Sequence, residues 1–469
     1  MSHRSIPFAS GSLQAALRVS QAYALLTLVG CIGLSGCART DTSEVSEAPS
    51  PVPATVSIIP LRVWIAAPFT DEQIWLRQWL ANSEQPLELR SLTSEEILQQ
   101  PQCECDVLVY PANLMGELQA RGWITKLPGT VSSSQEQPSS NENGSLSLPL
   151  AWRQQATYGG ETLAIPLGCA LPLFVASHAY PPTDQPTSWS DVLAVLKLTE
   201  VDAPQFDVAG QTVDHAALVD RYLAIVATLT PRDPNYGLLF DLQTMQPRLR
   251  EDSFVKAARL LGALASQPDG LASVVGNHSQ AWSWAATHPG AALAVATPAM
   301  LDSTAFGIDS GHIIQLQHAS PEGTSRTQLA GWNGGSALLA SLASQCRQST
   351  HATALLKWLN EPNTRSVLTQ FAPGIESPTP VGGTDSLAWK GQQMLSRIAS
   401  SAGVSLEPRL PLASAYRRAL ADALLNFLSG QETAEQALQS ADQRWRDITT
   451  EAGTALQRRN YEISLGLTL

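Results

Sequence analysis

The chain has 469 residues, with 41 acidic and 29 basic side chains and a formal net charge of −12. That acidity excludes the basic surface on which binders of nucleic acid or of anionic membranes rely. Charged residues make up only 15%, and twelve tryptophans stand against eight tyrosines and nine phenylalanines; this balance suits a protein that handles a neutral, polyhydroxylated ligand.

Arg4 and Arg18 precede the apolar run Ala22–Leu34, after which small residues lead to Cys37. This order of charge, apolar core and small residues is that of a secretory signal. At about 15 apolar residues the run is short for a membrane span, which takes roughly 20. Leu34-Ser35-Gly36-Cys37 is similar to the lipobox of bacterial lipoproteins. That likeness implies a signal over 1–36, a lipid on Cys37 and a place on the periplasmic or other extracytoplasmic face of a membrane. An ordinary signal peptide with an incidental cysteine and a short membrane anchor are the alternatives. Thr40–Thr55 is rich in Ser, Thr, Pro and acidic residues; residues 37–55 are therefore expected to be a disordered tether. The roughly 410 residues that follow exceed what one hydrophobic core usually serves, which predicts two domains.

Ile58–Ile65 is β-branched and apolar and reads as a strand. Thr70 with Gln73 three positions on predicts a capping-box start, and Ile74, Trp75, Gln78, Trp79 and Leu80 follow at helical spacing. Leu87–Leu89 predicts a short strand and Glu95–Gln99 a capped helix. Asp106–Tyr110 is a strand apolar through its middle, and Pro111-Ala112-Asn113 turns it into a helix over Leu114–Arg121 that Gly122 stops. Alternating strands and helices of this length imply a parallel sheet flanked by helices. Residues 130–147 read as a surface loop. Glu161–Gly168 and Leu171–Ser177 read as strands, with helices over Trp189–Leu196, Asp214–Leu229, Asp252–Ser266 and Trp282–Thr287 before a strand at Ala291–Ala296. A helix is expected to follow Trp332-Asn333-Gly334-Gly335, over Ser336–Leu342, and another over Thr350–Leu359, ended at Glu361-Pro362. Ala413–Thr450 carries two amphipathic helices split by Ser429-Gly430, the second capped by Thr433 with Gln436.

Of six cysteines, Cys31 falls in the signal and Cys37 would carry lipid, leaving Cys103, Cys105, Cys169 and Cys346. An oxidising compartment permits disulfides, yet a Cys103–Cys105 bridge closes an unusually tight loop, so their pairing stays open. Neither paired CxxC nor HExxH is present, and His215, His278, His288 and His312 lack metal-ligand spacing. Ser253-Phe254-Val255-Lys256 matches the SxxK of penicillin-binding proteins and β-lactamases, but the SDN and KTG elements are missing and Lys256 falls within a helical stripe. Glu95/Glu96 and Glu251/Asp252 read as solvated helix starts rather than acid–base pairs. No enzyme, metal or cofactor is expected.

Four stretches carry a resemblance: Asp106–Pro128, Glu161–Ser177, Leu329–Leu359 and Tyr416–Trp445. In this order, behind a lipobox, the chain resembles bacterial extracellular solute-binding proteins of the maltose-binding type, which serve ABC importers. Glu161 stands where the family usually has lysine, and Ala66, Ala67 and Leu114 stand where some sugar binders place charged ligand-reading residues. The resemblance implies an α/β, two-lobed periplasmic-binding-protein fold, each lobe a mostly parallel sheet flanked by helices, with the ligand cleft between lobes. The implied lobes are 55–168 plus 315–362 and 169–314 plus 363–469. The implied function is capture of a small solute, a carbohydrate first, and delivery to an ABC permease by a lipid-anchored monomer. A binding lobe without an importer, acting as sensor or scaffold, is the alternative, followed by a secreted hydrolase.

Ligands of open α/β sheets sit beyond the carboxyl ends of the strands, which selects Tyr110 and Asn113. Trp332 offers a flat apolar face to a sugar ring, and Asn333 with the two following glycines would let a ligand near the backbone. Trp64, at the end of its strand, and Trp282 and Trp284 are further candidates; two positions apart on a helix, the latter pair cannot share a face. Tyr416 and Arg417 begin the late helix that in the family faces the ligand. Gly168 and Cys169 mark the crossover and its hinge. For every tryptophan, core packing is the competing reading.

Overall fold

Sheet strands whose residues are apolar on both faces need helices on both sides, and the first sheet meets that need. A computed structural model describes residues 59–66, 72–129, 131, 148–181, 188–230, 237–297, 311–314, 316, 331–368, 387–401 and 403–467. The expected signal, Cys37, the tether, Thr70 and most of the 130–147 loop lie outside the described residues. β1 (Leu61–Ile65), α1 (Glu72–Leu80), β2 (Leu87–Ser91), α2 (Ser94–Gln99) and β3 (Val107–Pro111) lead through a short 3-10 turn (Ala112–Leu114) into α3 (Met115–Ala120). The three strand–helix units read from the sequence are thus present.

After α4 (Leu150–Gln155) come the two-residue strands β4 (Thr157–Tyr158), β5 (Glu161–Thr162) and β6 (Ile165–Pro166), then β7 (Leu173–Ser177). Helices α5 (Trp189–Leu196), α6 (His215–Leu229), α7 (Asp252–Ala265), α8 (Gly270–Val275) and α9 (His278–Thr287) precede β8 (Leu293–Ala296), β9 (Gly311–Ile314), β10 (Gly331–Asn333) and β11 (Leu338–Leu342). The chain ends with α10 (Ser349–Asn360), α11 (Pro362–Leu368), α12 (Leu387–Ala399), β12 (Val404–Leu406), α13 (Ala413–Leu428), α14 (Ala434–Ala452) and α15 (Thr454–Ser464). Side-chain caps explain several of these starts. Thr93, Ser188, Asn277 and Thr433 each accept a bond from the amide three residues on, while the side chain at that position bonds back.

The first sheet has the order β2-β1-β3-β11-β6. β1 runs parallel to β2 and β3, and β11 lies antiparallel between β3 and β6. Alternation sends Leu61, Val63, Ile65, Val107 and Val109 to one face, where Trp75, Trp79 and Trp358 cover them. Trp64, Leu108 and Tyr110 join a cluster on the other face with Leu118 and Trp123. The helix expected over Ser336–Leu342 is instead strand β11, buried at all five positions. A short apolar run has no period that separates strand from helix. Here the gap between the edges of β3 and β6 decides, because backbone donors and acceptors on both sides require a strand.

The second sheet, β8-β7-β9, is antiparallel throughout. Phe174 and Ala176 of β7 face a large core built with α6, α7, α13 and α14, while Leu173 and Val175 face Trp282, Leu395 and Ile398. The strands read over Glu161–Gly168 and Leu171–Ser177 are both shorter in the fold, since β6 stops at Pro166 and β7 starts at Leu173. Between them Leu167 N–H donates to Leu338 O and Ala170 bridges to Gly334. The segment is therefore held by the start of β11 and by the β10–β11 turn. β10 pairs in parallel with β12 as a separate ribbon. Ile58–Leu469 forms one compact unit.

Candidate functional site

Where β3 ends, the chain meets the turn between β10 and β11. Ala112 N–H donates to Ala337 O at 2.8 Å and Asn113 N–H to Gly335 O at 3.1 Å. The segment after β12 closes on the same place. A Cβ on Gly116 would lie 2.1 Å from Arg409 O, and one on Gly335 would lie 2.8 Å from Asn113 Cβ and 3.1 Å from Glu407 Cγ. On the far side of the turn, a Cβ on Gly334 would fall 2.3 Å from Asp220 Oδ1. The Gly-Gly pair, read in the sequence as room for a ligand at the backbone, is covered here by two carboxylates of the protein itself.

Arg417 joins those carboxylates. Its guanidinium donates to Glu407 Oε2 at 2.7 Å, to Asp220 Oδ1 at 2.9 Å and to Ala216 O at 2.9 Å. Asp220 also accepts from Ser336 Oγ at 2.8 Å and, weakly, from Trp332 Nε1 at 3.4 Å. Asp220 on α6, Arg417 on α13, Glu407 after β12 and Ser336 beside β11 thus meet in one buried network. Burial alone would lower the Arg417 pKa, but Asp220 and Glu407 together hold it above its ordinary value.

Two carboxylates share one cation, and Glu407 is the one whose titration the burial moves. Burial pushes its pKa up to about 7, against the pull of Arg417 and with the push of Asp220. The folded chain therefore binds this proton more tightly than the unfolded chain does. The resulting stabilisation is complete below the unfolded value near 4.5 and is lost as pH rises toward 7. A shift of that size corresponds to roughly 3 kcal/mol. Glu407→Gln keeps an acceptor for Arg417 and removes the titration. Urea unfolding between pH 4.5 and 7.5 should show a stability loss in the parent that is absent from the variant; parallel pH profiles would contradict the assignment.

His278, at the start of α9, faces the carboxyl end of β8. Its Nδ1 accepts from Thr297 N–H at 3.2 Å, and Nε2 is buried with no partner among the described residues. Burial, with Arg221 and Arg417 adding to it, holds this imidazole neutral by lowering its pKa well below the usual histidine range. Asn113 Oδ1 is likewise buried and unpartnered among the described residues.

The residues singled out from the sequence divide between this seam and the interior. Asn113, Trp332 and Arg417 border the seam, and Trp332 is fully buried beneath Asp220. Asn333 is fully buried behind it, donating to Gln155 Oε1 at 2.8 Å and accepting from Cys169 Sγ at 3.1 Å. That contact ties the expected hinge, Gly168-Cys169, to β10. Tyr110 is buried on the first sheet, its hydroxyl 2.7 Å from Ser341 Oγ and its pKa raised by burial. Trp64 is buried edge-on to Trp123, with centroids 6.4 Å apart, and Trp282 is buried with its indole N–H on Thr297 O at 2.6 Å. Trp284 is half-buried, donating to Pro268 O at 3.3 Å. Tyr416 is buried with Phe240 and Trp445, its hydroxyl 2.9 Å from Thr449 Oγ1.

A cavity of about 20 Å3, room for roughly one water, lies beside Tyr416, Arg417 and Glu407. Asp220, Glu407, Ser336 and His278 were not selected from the sequence as site residues. One signal existed for Asp220: with Arg221 it interrupts the apolar run Leu218–Leu223. Ser253 and Lys256 form no catalytic pair, since Lys256 lies 3.9 Å from Glu200 and Ser253 accepts from Thr230. Among the described residues no group of three or more His, Cys, Asp or Glu side chains is placed to hold a metal, and no helix is long and apolar enough to cross a membrane.

No family model and no curated protein matches the chain. Solved structures do. The sugar-binding protein MalE from Xanthomonas citri is similar over 84% of this chain and 98% of its own, with a TM-score of 0.58 at 13% identity. An ABC transporter solute-binding protein from Agrobacterium radiobacter K84, solved with ribitol, covers 83% and 98%, with a TM-score of 0.59 at 13% identity. The maltose/maltodextrin-binding domain MalE from Bdellovibrio bacteriovorus, bound to maltotriose, covers 84% and 100%, with a TM-score of 0.54 at 12% identity. At such identities the likeness concerns the fold, and the chain has the two-lobed α/β fold of the maltose-binding-type solute-binding proteins.

Proposed function

We propose that this chain is an extracytoplasmic binding protein, anchored through lipid on Cys37, that captures a small solute and delivers it to an ABC importer. Carbohydrates and polyols are the leading solute class. The observation that carries this reading is the likeness to sugar- and polyol-binding proteins over more than four-fifths of the chain. The lobes proposed are 55–168 plus 315–362 and 169–314 plus 363–469, with the solute between them. The mechanism is closure: contacts from both lobes are complete only in the closed form, so binding shifts the population toward it. Asn113 Oδ1, buried at this seam without a partner among the described residues, is one acceptor for a solute hydroxyl group.

A second reading, a binding protein without an importer that serves as sensor or scaffold, is favoured by the pairing of Arg417 within the protein itself. A thermal-shift screen against sugars, polyols, amino acids, peptides and anions tests the capture reading. A ligand at a hundredfold excess over its Kd adds about 2.7 kcal/mol of stability. A shift confined to one sugar or polyol class is the expected result. A well-folded protein that responds to none of the panel would overturn solute capture in favour of the scaffold reading.

A further inference from the structure

The segment between α2 and β3 carries Cys103-Glu104-Cys105, with the two sulfurs 3.4 Å apart and both thiols free. Its far end is pinned at Asp106, whose backbone N–H donates to Arg62 O and whose carboxylate accepts from the amides of Arg62 and Arg347. The dithiol is therefore held in place by the fold. Exposure is asymmetric. Cys105 is wholly buried beside Trp64, whereas Cys103 is 7% exposed between the exposed residues Gln102 and Glu104. We infer that Cys103 and Cys105 form an oxidisable dithiol, a modification site at which a low-molecular-weight disulfide such as oxidised glutathione converts the pair to an intramolecular disulfide.

The chemistry of the two thiols supports one order of attack. The Cys105 S–H bond to Cys103 and the nearby Arg62 lower the Cys103 pKa, against burial and the Asp106 carboxylate. Burial, followed by the bond to Cys103, raises Cys105 well above the usual thiol range, with Asp106 adding to it and the backbone of Trp64 opposing it. Cys103 is thus the thiol with greater thiolate character and the one an oxidant can reach. Its thiolate attacks one sulfur of oxidised glutathione, forming a mixed disulfide and expelling one glutathione thiolate. Cys105, losing its proton to solvent, then attacks the Cys103 sulfur and expels the second glutathione thiolate. Two protein thiols are oxidised and one glutathione disulfide is reduced. A bridge across a single residue is strained, which places it among the labile, readily reduced disulfides.

The test uses the full folded chain incubated with oxidised glutathione, then denatured, alkylated and cut with trypsin. Both cysteines fall in one tryptic peptide, Ser91–Arg121, which contains no other cysteine. The expected product is this peptide two hydrogens lighter and unalkylated, reverting to the doubly alkylated form after brief dithiothreitol treatment. Cys105→Ser should accumulate a stable glutathione adduct on Cys103, and Cys103→Ser should take none on Cys105. Native alkylation of the buried Cys169 reports any variant that has unfolded. A doubly alkylated parent peptide after oxidant treatment would overturn the site, whatever the variants do. An adduct on Cys105 in folded Cys103→Ser would overturn the order of attack.

Discussion

Arg417→Ala should destabilise the protein by about 3–5 kcal/mol, the usual consequence of leaving a buried charge without its partner. Two carboxylates depend on this guanidinium, with Asp220 fully buried and Glu407 nearly so. The loss should come from the stranded charges rather than from missing packing. Urea denaturation separates the causes. In an Asp220→Asn/Glu407→Gln background, the same Arg417→Ala change should cost much less. An equal loss in both backgrounds would assign the effect to the cavity left by the arginine side chain.

Trp332→Ala should cost roughly 3–5 kcal/mol as well, by the measure of large aromatic truncations in a packed core. Trp332 is fully buried, belongs to the same core as Phe174, Leu223 and Tyr416, and lies against Asp220. Of the two roles the sequence offered for it, packing is the one its surroundings support. Equilibrium unfolding is the measurement; a variant that keeps parental stability and loses only a solute response would restore the stacking role.

Much of the fold was legible because its signals are local. Thr433 with Gln436 announces a helix start that needs no tertiary context, and the helix begins where that cap places it. The apolar middle of β3 announced a strand covered on both faces. β11 was not legible as a strand, because its identity comes from β3 and β6, more than 170 residues earlier in the chain. The seam was only half legible, for a similar reason. Asn113 and Trp332 were selected because strand ends and flat aromatic faces have known uses. Glu407 and Asp220 look like ordinary acidic residues until the fold brings Arg417 between them. A sequence shows which side chains carry chemistry but not which of them occupy one another.

The position of β11 also sets a schedule for synthesis. β3 pairs on one side with β1 and on the other only with β11, and β6 meets the sheet only through β11. Until residues 338–342 have been made, the first sheet stands open at a central position, with backbone donors and acceptors exposed. The cation that neutralises Asp220 arrives later still, 197 residues downstream of it. A ribosome-bound chain therefore holds neither a finished sheet nor a neutral core. This late completion keeps the chain pliable until nearly all of it has been made.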